Sequence, residues 1–457
     1  MKSILLTSIA TSLGLASAAL AQDRTPGVSD TNRSILQAQD EAAVAPDGFN
    51  PEDHMTGDWG GLRSRMFTSG VEVFGFWNSI FSGNVAGGLN SNNATFVQDA
   101  WVGLKFDLEK LVGWRGGQFV VSGINRHGDD LTTKYIGSLY STQQMVGGQR
   151  PFLYQLYLQQ KIGDQFTLKA GRFGASDDFN TNSLYGYSLN NGINGNIRNV
   201  LFNTRFSAYP FATWAAAMFI EPTPEWSLKL GIFQTSEGMF ENDDNGLNFG
   251  FGDGDGYTAI AQLGWAPEFF KRPVEQGEKS DGKTVVPPKL KGMPGHYWLG
   301  VTYSEWDGYE RFDGTGTEDV SYGFYAHADQ MIYQEAPGSD QGLTAFVAGG
   351  YYPQDEISIV PFQVNVGLNY KGLLPGRDND RTMLHFIYGD ISKEYGRSVQ
   401  VPGRPRAESE KVVEFAHRIQ ITPWSYFQPD IQWVINPGGT GDIPDAVVIG
   451  AQMGVTF

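Results

Sequence analysis

The sequence predicts an all-β protein, an antiparallel transmembrane β-barrel of sixteen strands. Apolar and polar residues alternate along runs of roughly ten residues, the length that a tilted strand needs to cross a membrane. The number of these runs is even, and the connections between them are alternately short and long, as in outer-membrane barrels. The composition agrees, because 58 glycines and 13% aromatic residues with only 18% charged residues suit sheets with one apolar face.

The alternation is clearest in the segment PFQVNVGLNY. One face of this run carries Phe362, Val364, Val366, Leu368 and Tyr370, and the other carries Gln363, Asn365, Gly367 and Asn369. Because side chains point alternately to the two faces of a strand, the pattern predicts one apolar and one polar face. The same reasoning predicts strands near residues 70–82, 95–107, 117–126, 150–162, 165–173, 212–220, 225–236, 256–266, 295–306, 319–332, 341–352, 358–371, 380–391, 408–421, 425–435 and 446–457.

Two of these strands carry specific predictions about faces. In residues 150–162, Tyr154 shares the apolar face with Leu156, whereas Gln155 lies on the opposite, polar face. In residues 408–421, the polar face carries Glu414, Arg418 and Gln420. Polar faces of this kind are expected to line the lumen of a barrel.

The lengths of the connections predict which membrane side each one occupies. If the last strand ends in the periplasm, the tight connections 163–164, 221–224 and 422–424 are periplasmic turns. The long connections 127–149, 174–211 and 237–255 are then extracellular loops, as expected for this class of barrel. The connection 267–294 is a charged, proline-rich exception, since it is long on the periplasmic side.

The ends and the composition of the chain indicate export. Residues 1–21 have Lys2, a short apolar run and an Ala-Leu-Ala end, which is typical of a cleaved signal peptide. Residues 22–54 are predicted to be a polar leader, and residues 55–457 the outer-membrane barrel domain. The chain has no cysteine and a net charge of −17, which exclude a disulfide scaffold and argue against nucleic acid as a partner.

Several segments together resemble the carbohydrate-selective porins of the OprB type. They are MTGDWGGLRSR (55–65), KLVGW (110–114), INRHGDDL (124–131), LKAGRFGASDDF (168–179), YPFATW (209–214) and ITPWSYFQPDIQWVINPGG (421–439). The resemblance implies a sixteen-stranded outer-membrane barrel whose extracellular loops fold inward and narrow the lumen. It also implies passage of glucose and similar sugars past arginines and carboxylates at a constriction.

The expected function is passive, carbohydrate-selective diffusion across the outer membrane of a Gram-negative bacterium. The expected partners are small carbohydrates, outer-membrane lipid and lipopolysaccharide, and the sequence leaves both a monomer and a homotrimer open. No catalytic cluster is present, so an enzyme is not expected. Two alternatives are a secreted soluble β-protein that binds or cleaves carbohydrate, and a general or anion-preferring porin.

A sugar needs hydrogen-bond donors and acceptors in the lumen, and four arginines are candidate donors. Arg126 shares the predicted inward phase of Ser122; alternatively it is a loop arginine paired with Asp129 or Asp130. Arg63 matches a family arginine and either reaches the lumen or clamps the end of the barrel. The remaining candidate donors are Lys169, Arg172 and Arg205.

Strict alternation places Lys169 inward and Arg172 on the lipid face, unless a bulge near Gly171 re-aims Arg172. Asp177 and Asp178 are candidate acceptors at the head of the longest loop, or the residues of an ordinary turn. Candidate residues for stacking on a sugar ring are Tyr135, Tyr140, Tyr185 and Tyr187.

No cofactor is expected. The acidic loop 237–256 contains Glu241, Asp243 and Asn245 at the spacing of an EF-hand start, but Gly252 stands where the bidentate glutamate is needed. A solvated outer loop is therefore the preferred interpretation, with weak binding of divalent cations as the alternative.

Overall fold

The computed structural model describes residues 49–240, 245–274 and 289–457 and shows a closed antiparallel β-barrel. Sixteen strands form the barrel, and each pairs with its neighbours along the chain. The barrel closes where the first and last strands pair, from Phe76 opposite Thr456 to Ala86 opposite Val447. No helix in the described part of the chain is both long and apolar enough to cross a membrane.

The strands alternate in direction around the barrel. In chain order they are β1 (Val71–Ala86), β2 (Asn93–Asp107), β3 (Gly117–Gly128), β4 (Pro151–Ile162), β5 (Phe166–Phe173), β6 (Thr213–Thr223), β7 (Trp226–Thr235), β8 (Gly256–Trp265), β9 (Glu268–Val274), β10 (Lys289–Glu310), β11 (Thr317–Gln334), β12 (Gly342–Tyr351), β13 (Phe362–Lys371), β14 (Arg381–Asp390), β15 (Ser409–Thr422), β16 (Ser425–Ile435) and β17 (Ala446–Thr456). The described residues also form four short α-helices, of which the first precedes β1 and the others lie between strands: α1 (Leu62–Thr68), α2 (Leu108–Val112), α3 (Arg198–Asn203) and α4 (Lys393–Ser398).

β9 lies outside the ring of sixteen and accounts for the long periplasmic connection. The pairing of β8 with β10 begins at Trp265 opposite Tyr297 and continues toward the extracellular end. β9 pairs only with the start of β10, from Val274 opposite Lys289 to Glu268 opposite Pro294. The connection 267–294, the exception in the predicted loop pattern, therefore contains a two-stranded extension at the periplasmic end, formed by β9 and the start of β10. Residues 275–288 lie outside the described part of the chain.

The alternation of faces confirms the sequence prediction along most strands. Large apolar side chains cover the outer wall and are solvent-exposed in the isolated chain, among them Phe81, Val102, Ile232, Leu263, Leu299, Phe324, Val366, Leu384, Phe415 and Ile449. Polar side chains of the same strands, such as Gln363 and Asn365, are buried inside the barrel. An exposed apolar belt of this extent suits a membrane and excludes the soluble alternative.

The predicted faces of β4 are wrong at one point. Ser122 pairs with Gln155 but Gly123 pairs with Leu153, so the register shifts and Tyr154 is the extra residue of a bulge. A bulge re-aims the side chains next to it. Tyr154 therefore points inward together with Gln155, and both contact Asp177 inside the barrel.

Candidate functional site

Two long extracellular connections fold into the barrel, as expected. We call residues 129–150 the first inward loop and residues 174–212 the second inward loop. Most of their residues are buried, and Phe179, Tyr185 and Ile197 join an apolar cluster with side chains of the inner wall. The lumen is therefore narrowed by loops that pack against the inner wall through a shared apolar cluster.

The second inward loop follows the inner wall around a large part of the barrel. Its hydrogen bonds reach β8 (Asn180 N to Gln262 Oε1, 3.1 Å), β11 (Asn182 Nδ2 to Asp329 Oδ2, 2.9 Å), β16 (Asn190 Nδ2 to Gln432 Oε1, 3.0 Å) and β13 (Asn199 N to Gln363 Oε1, 2.8 Å). These contacts fix the loop in one place, because each joins a loop amide to a buried wall side chain.

Two carboxylates of β15 anchor both inward loops. Glu410 accepts hydrogen bonds from the backbone N–H groups of Leu139 (2.7 Å) and Tyr140 (2.9 Å) in the first loop. Glu414 accepts one from Leu189 (2.5 Å) in the second loop. The sequence placed Glu414 on the inward face but offered no signal for these partners, since they lie more than 200 residues away.

Arg126 is on the inner wall, as predicted, but it is fully buried. Its guanidinium group pairs with Asp99 (Nη2 to Oδ2, 3.3 Å) on β2 and donates to the Gly147 carbonyl (3.1 Å) in the first inward loop. It also lies over the ring of Tyr209, with 4.7 Å from the guanidinium carbon to the ring centroid. The predicted alternative partners, Asp129 and Asp130, instead contact Lys134 and Thr132.

The acidic pair at the head of the second inward loop is also paired. Asp178 contacts the Lys169 Nζ (2.9 Å), and Asp177 accepts hydrogen bonds from the Tyr154 hydroxyl and from Gln155 Nε2 (3.1 Å). Burial raises the pKa of Asp177 to about 6, against the opposing attraction of Lys169. The structure thus brings Lys169, Asp177 and Asp178 together, with the lysine facing inward as the alternation required.

Arg172 follows strict alternation and stays on the outer face. It is opposite Trp214 on β6, whose side chain points outward, and its Nη2 donates to the Ala212 carbonyl (3.0 Å). The connection after β7 folds over the outer rim, so that Phe249 covers the guanidinium group at 5.0 Å. Arg172 is therefore separated from the lumen by the barrel wall, and Gly171, despite its positive φ, does not re-aim it.

Arg63 lies at the periplasmic rim, away from the other candidates. Its Nη2 donates to the carbonyls of Val73 (2.8 Å) and Phe457 (2.7 Å), which join the first and last strands of the barrel. The turn before α1 needs its glycines, because Gly60 and Gly61 both have positive φ. These contacts are those of a clamp on the end of the barrel.

Arg205 lies where the second inward loop returns to the extracellular end of the lumen. Its guanidinium carbon is 3.7 Å from the ring centroid of Trp306 on β10, and its backbone N–H donates to the Tyr309 hydroxyl (3.2 Å). The side chains of Arg205 and Trp306 are both partly exposed.

The four predicted stacking tyrosines occupy different surroundings. Tyr140 is fully buried against Phe202 (5.9 Å between centroids), and the Tyr185 hydroxyl forms a hydrogen bond with His327 Nδ1 (2.8 Å). Tyr135 is partly buried, and its carbonyl accepts from Asn84 Nδ2 (3.2 Å). Tyr187 lies under two guanidinium groups, those of Arg381 and Arg418, at 5.0 and 4.4 Å from its ring centroid.

Arg381 and Arg418 were not among the predicted site residues. Both lie at the periplasmic end of the lumen, on neighbouring strands, and the polar phase of their strands was the available signal. Arg198 in α3 was also missed; its guanidinium group lies over the Phe202 ring at 4.9 Å, and burial lowers its pKa to about 9. Its loop shows no alternation from which an inward direction could be read.

The acidic outer loop 237–256 is described only in part, because residues 241–244, including Glu241 and Asp243, lie outside the described ranges. Within those ranges, no group of three or more histidine or acidic side chains is placed to hold a metal ion. Asp255 instead accepts a hydrogen bond from Gln234 Nε2 (2.6 Å).

Comparison with known proteins gives the same architecture. The chain is 25% identical to Porin B of Pseudomonas aeruginosa over 453 residues, which cover 91% of this chain and 94% of that protein. It is 24% identical to the putative porin QuiX of Acinetobacter baylyi, with 88% and 93% covered. The high-pH structure of Pseudomonas putida OprB superimposes with a TM-score of 0.77 at 23% identity, covering 90% of this chain and 99% of that one.

The family model for carbohydrate-selective porins, OprB family, matches residues 91–457, most of the chain. The match agrees with the closed barrel, the outward apolar belt and the inward-folded loops. It places the protein in the outer membrane as a channel for sugars rather than an enzyme. The chain belongs to the OprB family of carbohydrate-selective porins.

Proposed function

We propose that this porin selects small sugars of the size of glucose and lets them diffuse passively down their concentration gradient. The observation that supports the proposal is the fixed course of the second inward loop along the inner wall from β8 to β16. A packed loop in the lumen leaves less room than an open barrel of sixteen strands, so that solutes are sorted by contact as well as by charge.

The inner wall supplies the groups that sugar hydroxyls need. The amide side chains of Gln and Asn and the hydroxyl side chains of Ser project inward from most strands, and a sugar hydroxyl can both donate to them and accept from them. Each such contact is weak in net terms, about 1 kcal/mol, which favours entry without trapping the solute.

Arg205 and Trp306 form the best candidate for the first sugar contact at the extracellular end. A stacked guanidinium group keeps its donors at the edge, and the adjoining aromatic edge offers an apolar surface for the ring face of a sugar. Both side chains are partly exposed, unlike the buried Arg126 and Lys169. We therefore assign sugar contact to Arg205 and loop support to Arg126 and Lys169.

Single-channel recordings in planar bilayers test this proposal. Millimolar glucose should reduce the conductance of the wild-type channel, and Arg205→Gln should raise the half-blocking concentration severalfold. Arg311→Gln is the matched control, because Arg311 lies on the nearby extracellular turn and pairs with Glu318. Liposome swelling that ranks a panel of sugars by size alone would contradict carbohydrate selection and support a general porin.

A further inference from the structure

The inner wall of the barrel has a gap over Gly450, at the seam where the last strand meets the first. Gly450 on β17 is opposite Asp430 on β16 and opposite Ser82 on β1. Asp430 and Ser82 are both buried, and the glycine between them has no side chain to cover the wall. The Ser82 hydroxyl leans over the glycine, since its Oγ is 2.3 Å from the position that a Cβ on Gly450 would take. The gap is therefore bordered by Ser82 on one side and by Asp430 on the other.

Three oxygen atoms around this gap have no hydrogen-bond partner in the described part of the chain. They are Ser82 Oγ, Asp430 Oδ2 and the Oε1 atom of Gln452, which lies two residues after Gly450 on β17. The three side chains are 1%, 5% and 2% exposed, respectively. Buried polar atoms nearly always have a partner, so three of them around one gap point to a bound species inside it.

The gap also lies beside a pair of buried carboxyl groups. Asp430 is next to Glu414 on β15, close enough for a hydrogen bond between the two carboxyl groups. Glu414 otherwise accepts from the Ser188 hydroxyl and from two backbone N–H groups of the second inward loop, and Asp430 Oδ1 accepts from Gln432 Nε2 (2.9 Å). Among the described residues, neither carboxylate pairs with a lysine, arginine or histidine. Buried carboxylates of this kind need a proton or a cation to compensate their charge.

The unpartnered oxygens favour a cation over a proton. A proton shared between the two carboxyl groups satisfies Asp430 but leaves the oxygens of Ser82 and Gln452 without a partner. A cation in the gap contacts all three oxygens, and its charge compensates both carboxylates when it is divalent. Carboxylate and amide oxygens are ligands of hard cations, a hydroxyl oxygen coordinates as a water does, and calcium accepts irregular arrangements of such ligands.

The width of the gap suits an ion of this kind. The Cα atoms of Asp430 and Ser82 are two strand spacings apart, roughly 10 Å. The two side chains reach toward each other over Gly450 and span about half of this distance. Calcium binds oxygens at about 2.3–2.6 Å, so two oxygens on opposite sides of the ion are about 5 Å apart.

We propose that Asp430, Gln452 and Ser82 bind a calcium ion at the barrel seam, beside the carboxylate of Glu414. The ion joins β16, β17 and β1, the strands at which the barrel closes. It also compensates the charge of Glu414, which holds the second inward loop at Leu189. The site has two carboxylates and neutral oxygens, and it is separate from both the sugar contact at Arg205 and the acidic outer loop 237–256.

Calcium binding by the detergent-purified protein tests the proposal. After dialysis against micromolar calcium, the wild type should hold about one calcium ion per chain more than Asp430→Asn, which lacks a charged ligand. Lipopolysaccharide that copurifies binds calcium in both proteins, so the difference between them counts the site. Asp253→Asn/Asp255→Asn is the matched control and should hold as much calcium as the wild type, because these carboxylates belong to the outer loop. Equal calcium content in the wild type and Asp430→Asn overturns the proposal.

Thermal stability gives a second readout, because an ion that binds only the folded state raises its thermal midpoint. Removal of calcium with EGTA should lower the midpoint of the wild type by several degrees more than that of Asp430→Asn, as measured by heat-dependent gel mobility. An equal effect of EGTA on both proteins would favour the shared proton and contradict the calcium site. Ser82→Ala keeps both carboxylates and should weaken calcium binding severalfold. Unchanged calcium affinity in Ser82→Ala also overturns the proposal, and this variant decides the matter if Asp430→Asn does not fold.

Discussion

At the scale of single residues, some buried charges in this barrel are held in pairs, and the pair of Arg126 and Asp99 is the clearest example. Arg126 and Asp99 are both fully buried, and Arg126 also donates to Gly147 of the first inward loop. Removal of one member of a buried pair leaves the other charge without compensation, which costs more than the pair itself contributes. The arginine therefore stabilises a loop position instead of offering donors to a solute.

Arg126→Ala should lower the free energy of unfolding by about 3–5 kcal/mol, because it removes the buried guanidinium group that is paired with the Asp99 carboxylate. When samples are heated to graded temperatures before electrophoresis, the band of the folded form should disappear at a lower temperature than in the wild type. The double variant Asp99→Asn/Arg126→Gln, which removes both charges, should recover part of the loss. If Arg126→Ala has the thermal stability of the wild type, the pair makes no net contribution to the free energy of unfolding.

The pH dependence of the second inward loop should report on Asp177. Burial raises its pKa to about 6 from an ordinary value of 3.8, so the folded state binds the proton more tightly than the unfolded state. The contribution to stability is full below pH 3.8 and is lost as the pH rises through 6, by about 3 kcal/mol. Hydrogen exchange near Asp177, corrected for its intrinsic pH dependence, should be slower at pH 5 than at pH 7. In Asp177→Asn the two rates should agree, and a difference that remains there would assign the effect to another group.

At the scale of elements, β15 positions both inward loops through Glu410 and Glu414. Hydrogen bonds from backbone N–H groups to a carboxylate are stronger than those to a neutral acceptor. Each glutamate accepts such bonds from a different loop, so one strand contributes to the position of both loops. β15, which was predicted as a wall strand from its alternation alone, thus also holds the two inward loops.

Glu414→Ala should release the second inward loop at Leu189 and increase the single-channel conductance. Discrimination between glucose and larger sugars in liposome swelling should decrease, because the loop no longer has a fixed position. Glu408→Ala is the matched control, since Glu408 is exposed and pairs only weakly with Arg406 (3.5 Å). Unchanged conductance in Glu414→Ala would mean that the remaining wall contacts suffice to hold the loop.

At the scale of the whole molecule, the first and last strands meet α1 at the periplasmic rim. The barrel has no free edge because β1 pairs with β17, and Arg63 of α1 donates to carbonyls at both strand ends. Phe49 and Trp59 lie against the guanidinium group at 4.9 and 5.2 Å. The segment before the first strand therefore reinforces closure, which a barrel needs in order to leave no unpaired strand in lipid.

Arg63→Ala should destabilise the closed barrel by roughly 2–3 kcal/mol, since hydrogen bonds from a charged donor are lost at the rim. Arg65→Ala is the control, because Arg65 is exposed on the same helix. The thermal midpoint of the folded form in detergent measures the difference. Sugar block should be the same in both variants; a weaker block in Arg63→Ala alone would place Arg63 in the path of the solute.

Much of the fold could be predicted, because side chains alternate between the two faces of a strand. In a membrane barrel one face meets lipid and the other meets the lumen, so this alternation appears in the sequence as alternating apolar and polar residues. This explains the confirmed strands and the inward phase of Lys169 and Arg126. It also explains why strict alternation was right for Arg172, although Gly171 suggested a bulge. The bulge at Tyr154 was missed, since an extra residue in a strand leaves no mark in a sequence where apolar residues are common on both faces.

The sequence by itself determined the barrel, its strand count, the sides of its loops and the side of the wall on which most strand residues lie. Only the tertiary structure decided which partner each inward charge meets. Arg126 and Arg418 share the same local pattern, yet one meets Asp99 and the other meets Tyr187 and neutral acceptors. The reason is physical: alternation is a local property of the backbone, whereas the partner of a buried charge comes from a loop or strand far away in the chain.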